Sequence, residues 1–323
     1  MSAGEMYDVV IVGGGPGGLS AAIYALRGAM KTVLIEKSAP GGQINLSDEV
    51  ENYPGFTHIS GAELAMQFAE HARAYGLEEI NDEVTAVEPG LDHHTIHLAD
   101  GRKIATHAVI LATGGTPRKL GVPGEDDLYG KGVSYCAVCD GFFFRGKKVI
   151  VVGGGDSACE EGLYLAKLAQ QVYLVHRRDA LRASMILQQR VEAECKMDVL
   201  WNSVITEIQA DDSCVNGVQL KDTQTGEERP MAIDGIFIFI GFEPNNELVP
   251  AGIRKSADGF VITDDQCATS IAGIYAIGDL REKFARQIVL SAADGCTAAL
   301  SAAHYVESRK AQAGDATCEL PTS

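Results

Sequence analysis

Val9-Val10-Ile11-Val12-Gly13-Gly14-Gly15-Pro16-Gly17-Gly18 runs from an apolar strand straight into a glycine loop. A second copy follows as Val149-Ile150-Val151-Val152-Gly153-Gly154-Gly155-Asp156-Ser157-Ala158. Gly13 aligns with Gly153, Gly15 with Gly155 and Gly18 with Ala158, each pair 140 residues apart. In a strand–loop–helix unit the first glycine permits a tight turn and the second lets the backbone approach a pyrophosphate. The third lets helix and strand pack closely, alanine being an accepted variant, and the helix N-terminus adds partial positive charge. The repeat therefore predicts two dinucleotide-binding units in one chain.

Outward from these loops, short β-branched runs alternate with helical stretches, the mark of a parallel sheet covered on both faces. Tyr7–Val12, Thr32–Glu36, Lys148–Val152, Val172–His176 and Ile274–Ile277 read as strands. Pro16–Arg27, Ala62–Tyr75, Ser157–Leu168 and Ser291–Ser308 read as helices. Val215-Asn216-Gly217 and Thr225-Gly226 are turn signals, and His93, His94 and His97 fall in an expected hairpin. The small, polar stretch from Lys310 to Ser323 is expected to be poorly ordered. Thr113-Gly114-Gly115-Thr116-Pro117 and Gly241-Phe242-Glu243-Pro244-Asn245-Asn246 bracket the second fingerprint with Gly/Pro punctuation. The expected fold class is α/β, with two Rossmann-like three-layer domains. One, residues 117–246, is inserted into a discontinuous other made of 1–116 and 247–323.

The residue that closes the second strand separates the two loops chemically. Glu36 follows Gly15 at the spacing of a carboxylate that accepts ribose hydroxyls and repels a 2′-phosphate, so the first loop suits FAD or NAD. The corresponding position in the second copy is His176, within His176-Arg177-Arg178, and Arg182 follows one helical turn later. A cationic cluster there is what a 2′-phosphate requires, so the second loop suits NADPH. Between the loops, Cys136-Ala137-Val138-Cys139-Asp140 is a Cys-x-x-Cys followed by an acid. Such spacing allows a disulfide that opens and closes without unfolding the chain, with a carboxylate at hand for the proton. Structural zinc needs two more ligands at matching spacing, and none stands near, so no metal is expected. Cys159, Cys195, Cys214, Cys267, Cys296 and Cys318 are isolated and are expected to be small buried side chains, Cys318 being a tail residue.

Composition narrows the class. With 323 residues the chain has room for two domains of typical size. A formal net charge of −17 disfavours nucleic acid or an anionic membrane as partner. No apolar run approaches the ~18 residues of a membrane span. The N-terminus has no basic segment ahead of its apolar run, and eight cysteines outside a secretory context read as thiols. A cytoplasmic oxidoreductase is expected.

The ordered series Gly13–Gly18, Gly41-Gly42-Gln43, Glu51-Asn52-Tyr53-Pro54-Gly55, Cys136–Gly141, Gly153–Ala158, His176–Arg178 with Arg182, and Gly278-Asp279 with Arg286-Gln287 adds a family to this reading. Over nearly its whole length the chain resembles the low-molecular-weight (bacterial-type) thioredoxin reductases, class II pyridine nucleotide-disulfide oxidoreductases. The resemblance implies FAD held by Gly13, Gly15, Pro16, Gly18, Glu36, Gly42, Gln43, Asn52, Gly278, Asp279, Arg286, Gln287 and Ile288. It implies NADPH on Gly153, Gly155, Asp156, Ser157, Ala158, His176, Arg177, Arg178 and Arg182. Cys139 would face the flavin, Cys136 would attack the disulfide of thioredoxin, and Asp140 would donate and accept the proton. The inserted domain would rotate on hinges near 114–117 and 241–244. Phe142, Phe143 and Lys131 would meet thioredoxin, and the protein would be a homodimer. The alternatives are reduction of another thioredoxin-like or peroxiredoxin-system protein, and a flavin-binding redox sensor. Asp156, where relatives commonly carry a neutral residue, and Tyr135 are departures without an assigned role.

Overall fold

The computed structural model describes residues 6–47, 50–211 and 214–315. Two compact units emerge: Met1–Glu49, Tyr53–Thr116 and Glu243–Ser323 form the first, and Val50–Asn52 with Pro117–Phe242 form the second.

The first unit opens with β1 (Met6–Val12), α1 (Pro16–Arg27), β2 (Thr32–Glu36), a 3-10 turn at Gly42–Leu46, α2 (Gly61–Arg73), β3 (Glu78–Asn81), β4 (Val84–Glu88), β5 (His94–Leu98), β6 (Lys103–Leu111) and β7 (Gly115–Pro117). The second unit holds β8 (Val133–Ser134), α3 (Ala137–Asp140), β9 (Lys148–Gly153), α4 (Asp156–Ala166), β10 (Gln171–Val175), α5 (Met185–Ala193), β11 (Met197–Leu200), β12 (Ser203–Asp211), β13 (Cys214–Asp222), β14 (Glu228–Ala232) and β15 (Gly235–Phe239). After β16 (Phe242–Pro244), β17 (Ile274–Ala276) and α6 (Ile288–Asp315) complete the first unit.

The first sheet has the order β3-β2-β1-β6-β5-β4, and β17 also pairs with β6. One strand serves both neighbours by dividing its length. The start of β6 pairs antiparallel with β5 through His94↔Thr106, and its end pairs parallel with β17 through Val109↔Ile274. Side chains alternate across β1: Val9 and Ile11 pack on α1, α2 and α6, whereas Val10 and Val12 pack on the opposite face with Val84, Ile96 and Val261. Each such side chain contributes about 1.5–3 kcal/mol by leaving water.

In the second unit the parallel order is β11-β10-β9-β15-β8. Val149 and Val151 face the α4 and α5 layer, and Ile150 and Val152 face the antiparallel sheet β12-β13-β14. The repeat seen in the sequence thus keeps its in–out parity. Each unit has three layers, with helices on one side of the parallel strands and mainly strands and loops on the other.

Three local readings change. Asn216 and Gly217 lie inside β13, not at a turn, and the β12–β13 pairing continues as far as Asp211↔Cys214. The bulge falls on Asn216 itself: Gly217 pairs with Gln209 and Val215 with Ala210, which leaves Asn216 as the extra residue on β13. The last helix runs to Asp315, so Lys310–Asp315 is helical where disorder was expected; Ala316–Ser323, with Cys318, lies outside the described residues. Among the isolated cysteines, Cys159 and Cys267 are buried, but Cys195 and Cys214 are exposed. Cys195 lies in the turn between α5 and β11, and Cys214 begins β13.

Candidate active site

In the first unit, the chemistry-bearing residues collect at the carboxyl ends of the parallel strands. Chain order reverses on either side of β1, which is where open α/β sheets bind ligands. Gly13 leaves β1 with φ +107°, a left-handed conformation that L side chains avoid. A methyl on Gly18 would stand 1.9 Å from the Gly13 carbonyl oxygen, so only glycine lets α1 start this close to the strand. Around Gly15, by contrast, a methyl would meet nothing within 4 Å. Pro16 opens α1, whose first turn has neither a side-chain cap nor an acidic residue, leaving its positive end available to an anion.

Glu36 lies under this loop. Its Oε2 accepts the Gly14 N–H at 2.7 Å, and its Oε1 accepts the Ser38 N–H at 2.9 Å and the Ser38 hydroxyl at 3.0 Å. A carboxylate offers about four acceptor positions, so one on Oε2 suits a ribose hydroxyl. The Gly41 N–H donates to the Gly14 carbonyl at 2.7 Å, which lays the Gly42-Gln43 turn against Gly15. Gln43 Nε2 donates to the Gly115 carbonyl. Asn52 is exposed, in the Val50–Asn52 segment that groups with the second unit.

β17 delivers Gly278 and Asp279 to the same sheet end. Asp279 Oδ1 is buried without a hydrogen bond among the described residues, 3.8 Å from Lys283 Nζ. Burial pushes the Asp279 carboxyl up, and Lys283 and Arg286 pull it back. Arg286 lies over the Phe260 ring at 4.3 Å, Gln287 accepts the Ser291 N–H, and Ile288 begins α6. Asp294 escaped the sequence reading and is the hub here. It accepts the Gly278 N–H at 3.0 Å and pairs with Arg281 at 3.0 Å and Lys283 at 3.2 Å. The available signal was an acid amid Ser291-Ala292-Ala293 on an otherwise small, apolar helix face.

The second loop repeats the design with other occupants. Gly153 ends β9, and Gly155 caps α4, which starts at Asp156 with Ser157 exposed and Ala158 buried. His176 is 5% exposed, its Nδ1 2.9 Å from the Gly153 carbonyl and its Nε2 3.0 Å from the Ala180 carbonyl. Both ring nitrogens of His176 therefore face backbone carbonyls of the loop and of the segment after β10. Arg177, Arg178 and Arg182 are exposed at the end of β10 and after it.

Cys136 and Cys139 are joined by a disulfide at the start of α3. The Cys139 N–H donates to Cys136 Sγ at 3.2 Å. Ser134, buried on β8, was not singled out by the sequence. Its hydroxyl lies 2.5 Å from Asp140 Oδ2 and accepts the Cys136 N–H at 3.0 Å, which ties the acid to the sulfur pair. Burial raises the Asp140 carboxyl above its ordinary value, and the Ser134 hydrogen bond partly offsets this. Phe142 is 57% exposed, whereas Phe143 is half-buried against the core of the second unit. Lys131 is exposed. Tyr135 donates to the buried Glu125 carboxylate at 2.8 Å, which holds the turn at Leu120-Gly121 through two backbone N–H groups.

Two glycine loops and a redox disulfide within one chain coincide with a family model described as pyridine nucleotide-disulphide oxidoreductase, which matches residues 7–301. The chain belongs to this family. Its relatives include the thioredoxin reductase of Bacillus subtilis, 47% identical over 308 residues, or 95% of this chain and 97% of that protein. Another is the thioredoxin reductase of Treponema pallidum, 45% identical over 303 residues, 93% of this chain and 97% of that protein. Among solved structures, the thioredoxin reductase from Streptococcus pyogenes has a TM-score of 0.91 at 46% identity, covering 94% of this chain and 99% of that one. The pyridine nucleotide-disulphide oxidoreductase fold and the resemblance to thioredoxin reductases are thereby shown. No helix among the described residues is long and apolar enough to cross a membrane.

Proposed function

We propose that this chain is an NADPH- and FAD-dependent thioredoxin-disulfide reductase. The observation that carries the reading is the Cys136–Cys139 disulfide, with Asp140 held beside it by Ser134. The rest of the constellation supports it. The orphaned Oδ1 of Asp279 and the open space at Gly15 fit a flavin dinucleotide held by Gly13, Gly15, Pro16, Gly18, Glu36, Gly42, Gln43, Asn52, Gly278, Asp279, Arg286, Gln287 and Ile288. Residues 1–116 and 247–323 are then the FAD domain, and 117–246 the NADPH domain. In the latter, Gly153, Gly155, Ser157 and Ala158 take the pyrophosphate, and Arg177, Arg178 and Arg182 take the 2′-phosphate. A bound flavin supplies two-electron chemistry between a nicotinamide and a disulfide.

The residues of the chain do the sulfur chemistry. Reduction breaks the Cys136–Cys139 bond, with two electrons and two protons giving two thiols. Asp140, whose carboxyl burial keeps protonatable, holds a proton for the sulfur pair. The Cys139 N–H stabilises negative charge on Cys136, which suits Cys136 for attack on the thioredoxin disulfide. That attack forms a mixed disulfide and releases one thioredoxin thiolate, which takes a proton. Cys139 then displaces the second thioredoxin sulfur and restores the Cys136–Cys139 bond. Exposed Phe142 and Lys131 offer thioredoxin an apolar and a cationic contact. We include a homodimer, supported by the exposed apolar side chains Met66, Val289, Leu290 and Leu300 of the first unit, and a cytoplasmic setting, in which thiols such as Cys159 stay reduced.

The test is continuous NADPH consumption by the purified, FAD-loaded chain. Consumption that depends on oxidised thioredoxin supports the reading. Turnover that needs a different disulfide protein, or none beyond flavin reduction, overturns it.

A further inference from the structure

The second glycine loop carries an acid at its pyrophosphate-facing end, and the structure shows where that charge goes. Asp156 Oδ1 accepts the backbone N–H of Ser184 at 2.7 Å. Two residues earlier on each side, the Gly154 carbonyl accepts the backbone N–H of Arg182, also at 2.7 Å. Gly154 and Asp156 thus pair with Arg182 and Ser184 in register, two rungs between the loop that begins α4 and the segment that leads into α5. Ser184 occupies the N-cap of α5 without making a side-chain cap of its own. Arg182 supplies the N–H of the Gly154 rung, with Ala183 between it and Ser184, while its side chain stays exposed.

We propose that Asp156 is a positioning residue for Arg182. On the reading that the second loop binds NADPH, it is then a determinant of selectivity for the 2′-phosphate. A carboxylate at α4 N1 faces the positive end of that helix, and the Ser184 N–H takes one of its oxygens. Its charge is therefore engaged by the protein, and the same contact fixes the distance between the pyrophosphate loop and an arginine on the segment after β10. Asp156 thereby couples the two halves of the nucleotide site.

The experiment is isothermal titration of the FAD-loaded protein with 2′,5′-ADP and with 5′-ADP, reading the ratio of the two affinities. Asp156→Ala removes the acceptor, and the preference for 2′,5′-ADP is expected to fall about tenfold, the scale of one charge-assisted hydrogen bond. Asp156→Asn keeps an acceptor oxygen and is expected to hold the ratio within about twofold of the parent. Ser184→Pro deletes the donor at a residue whose φ of −57° already suits proline, and should reproduce the Asp156→Ala ratio by a separate route. An unchanged ratio in Asp156→Ala and Ser184→Pro overturns the proposal while leaving the NADPH reading intact. A ratio lost equally in Asp156→Asn overturns it too, since charge alone would then be responsible. A parent protein without preference for 2′,5′-ADP overturns the NADPH reading and this inference with it.

Discussion

Gly18→Ala perturbs the first fingerprint by one methyl, and the structure sets the size of the effect. The added carbon would stand 1.9 Å from the Gly13 carbonyl oxygen. Carbon–oxygen contacts relax only near ~3.3 Å, so strand end and helix must part by roughly 1.4 Å. Neither side gives easily. The Gly13 N–H is bonded to the Ile35 carbonyl at 2.9 Å, and the Ala112 N–H to the Val12 carbonyl at 2.8 Å, so the strain spreads through three strands. Overpacking costs about 1–3 kcal/mol, and a clash with backbone belongs at the upper end. At about 2–4 °C per kcal/mol for a unit of this size, melting should fall by roughly 5–10 °C. A pyrophosphate cradle opened by about 1 Å should lose on the order of a hundredfold in FAD affinity. Ala158→Gly is the matched control. Its methyl is accommodated because Gly153 has no side chain, a Cβ there falling 2.5 Å from that of Ala158, and removing it should cost only about 1 kcal/mol. Calorimetric melts and the flavin-to-protein ratio after gel filtration read both effects. A Gly18→Ala protein that keeps full flavin and melts within about 2 °C of the parent refutes the close-packing argument.

Asp140→Asn should stabilise the second unit at neutral pH. Burial raises the folded carboxyl, so its stability contribution is complete below the unfolded value of ~3.9 and is lost as pH rises through the raised one. The variant's advantage in melts should therefore shrink towards pH ~4, while thioredoxin turnover drops about a hundredfold or more; an advantage independent of pH contradicts the burial argument. Arg177→Ala with Arg178→Ala should raise the Michaelis constant for NADPH far more than that for NADH, and equal effects defeat the 2′-phosphate assignment. Cys139→Ser should leave flavin bound and reducible yet stop thioredoxin reduction, whereas retained steady-state turnover removes the pair from the chemistry.

The two loops, the strands and helices around them, and the sulfur pair can all be read along the chain. These are local: a glycine that must adopt φ +107° or admit a helix start, an acid or arginine at a fixed distance along the chain, two cysteines one helical turn apart. Folding settles what depends on partners far along the chain. It turned His176 inward between two carbonyls, gave Asp156 the Ser184 N–H, and set Ser134 under Asp140. It also brought Asp294, on the last helix, to the N–H of Gly278 beside the sheet end. A side chain's hydrogen bonds are fixed by which backbone group folding places within about 3 Å of it, and spacing along a sequence carries no such distance.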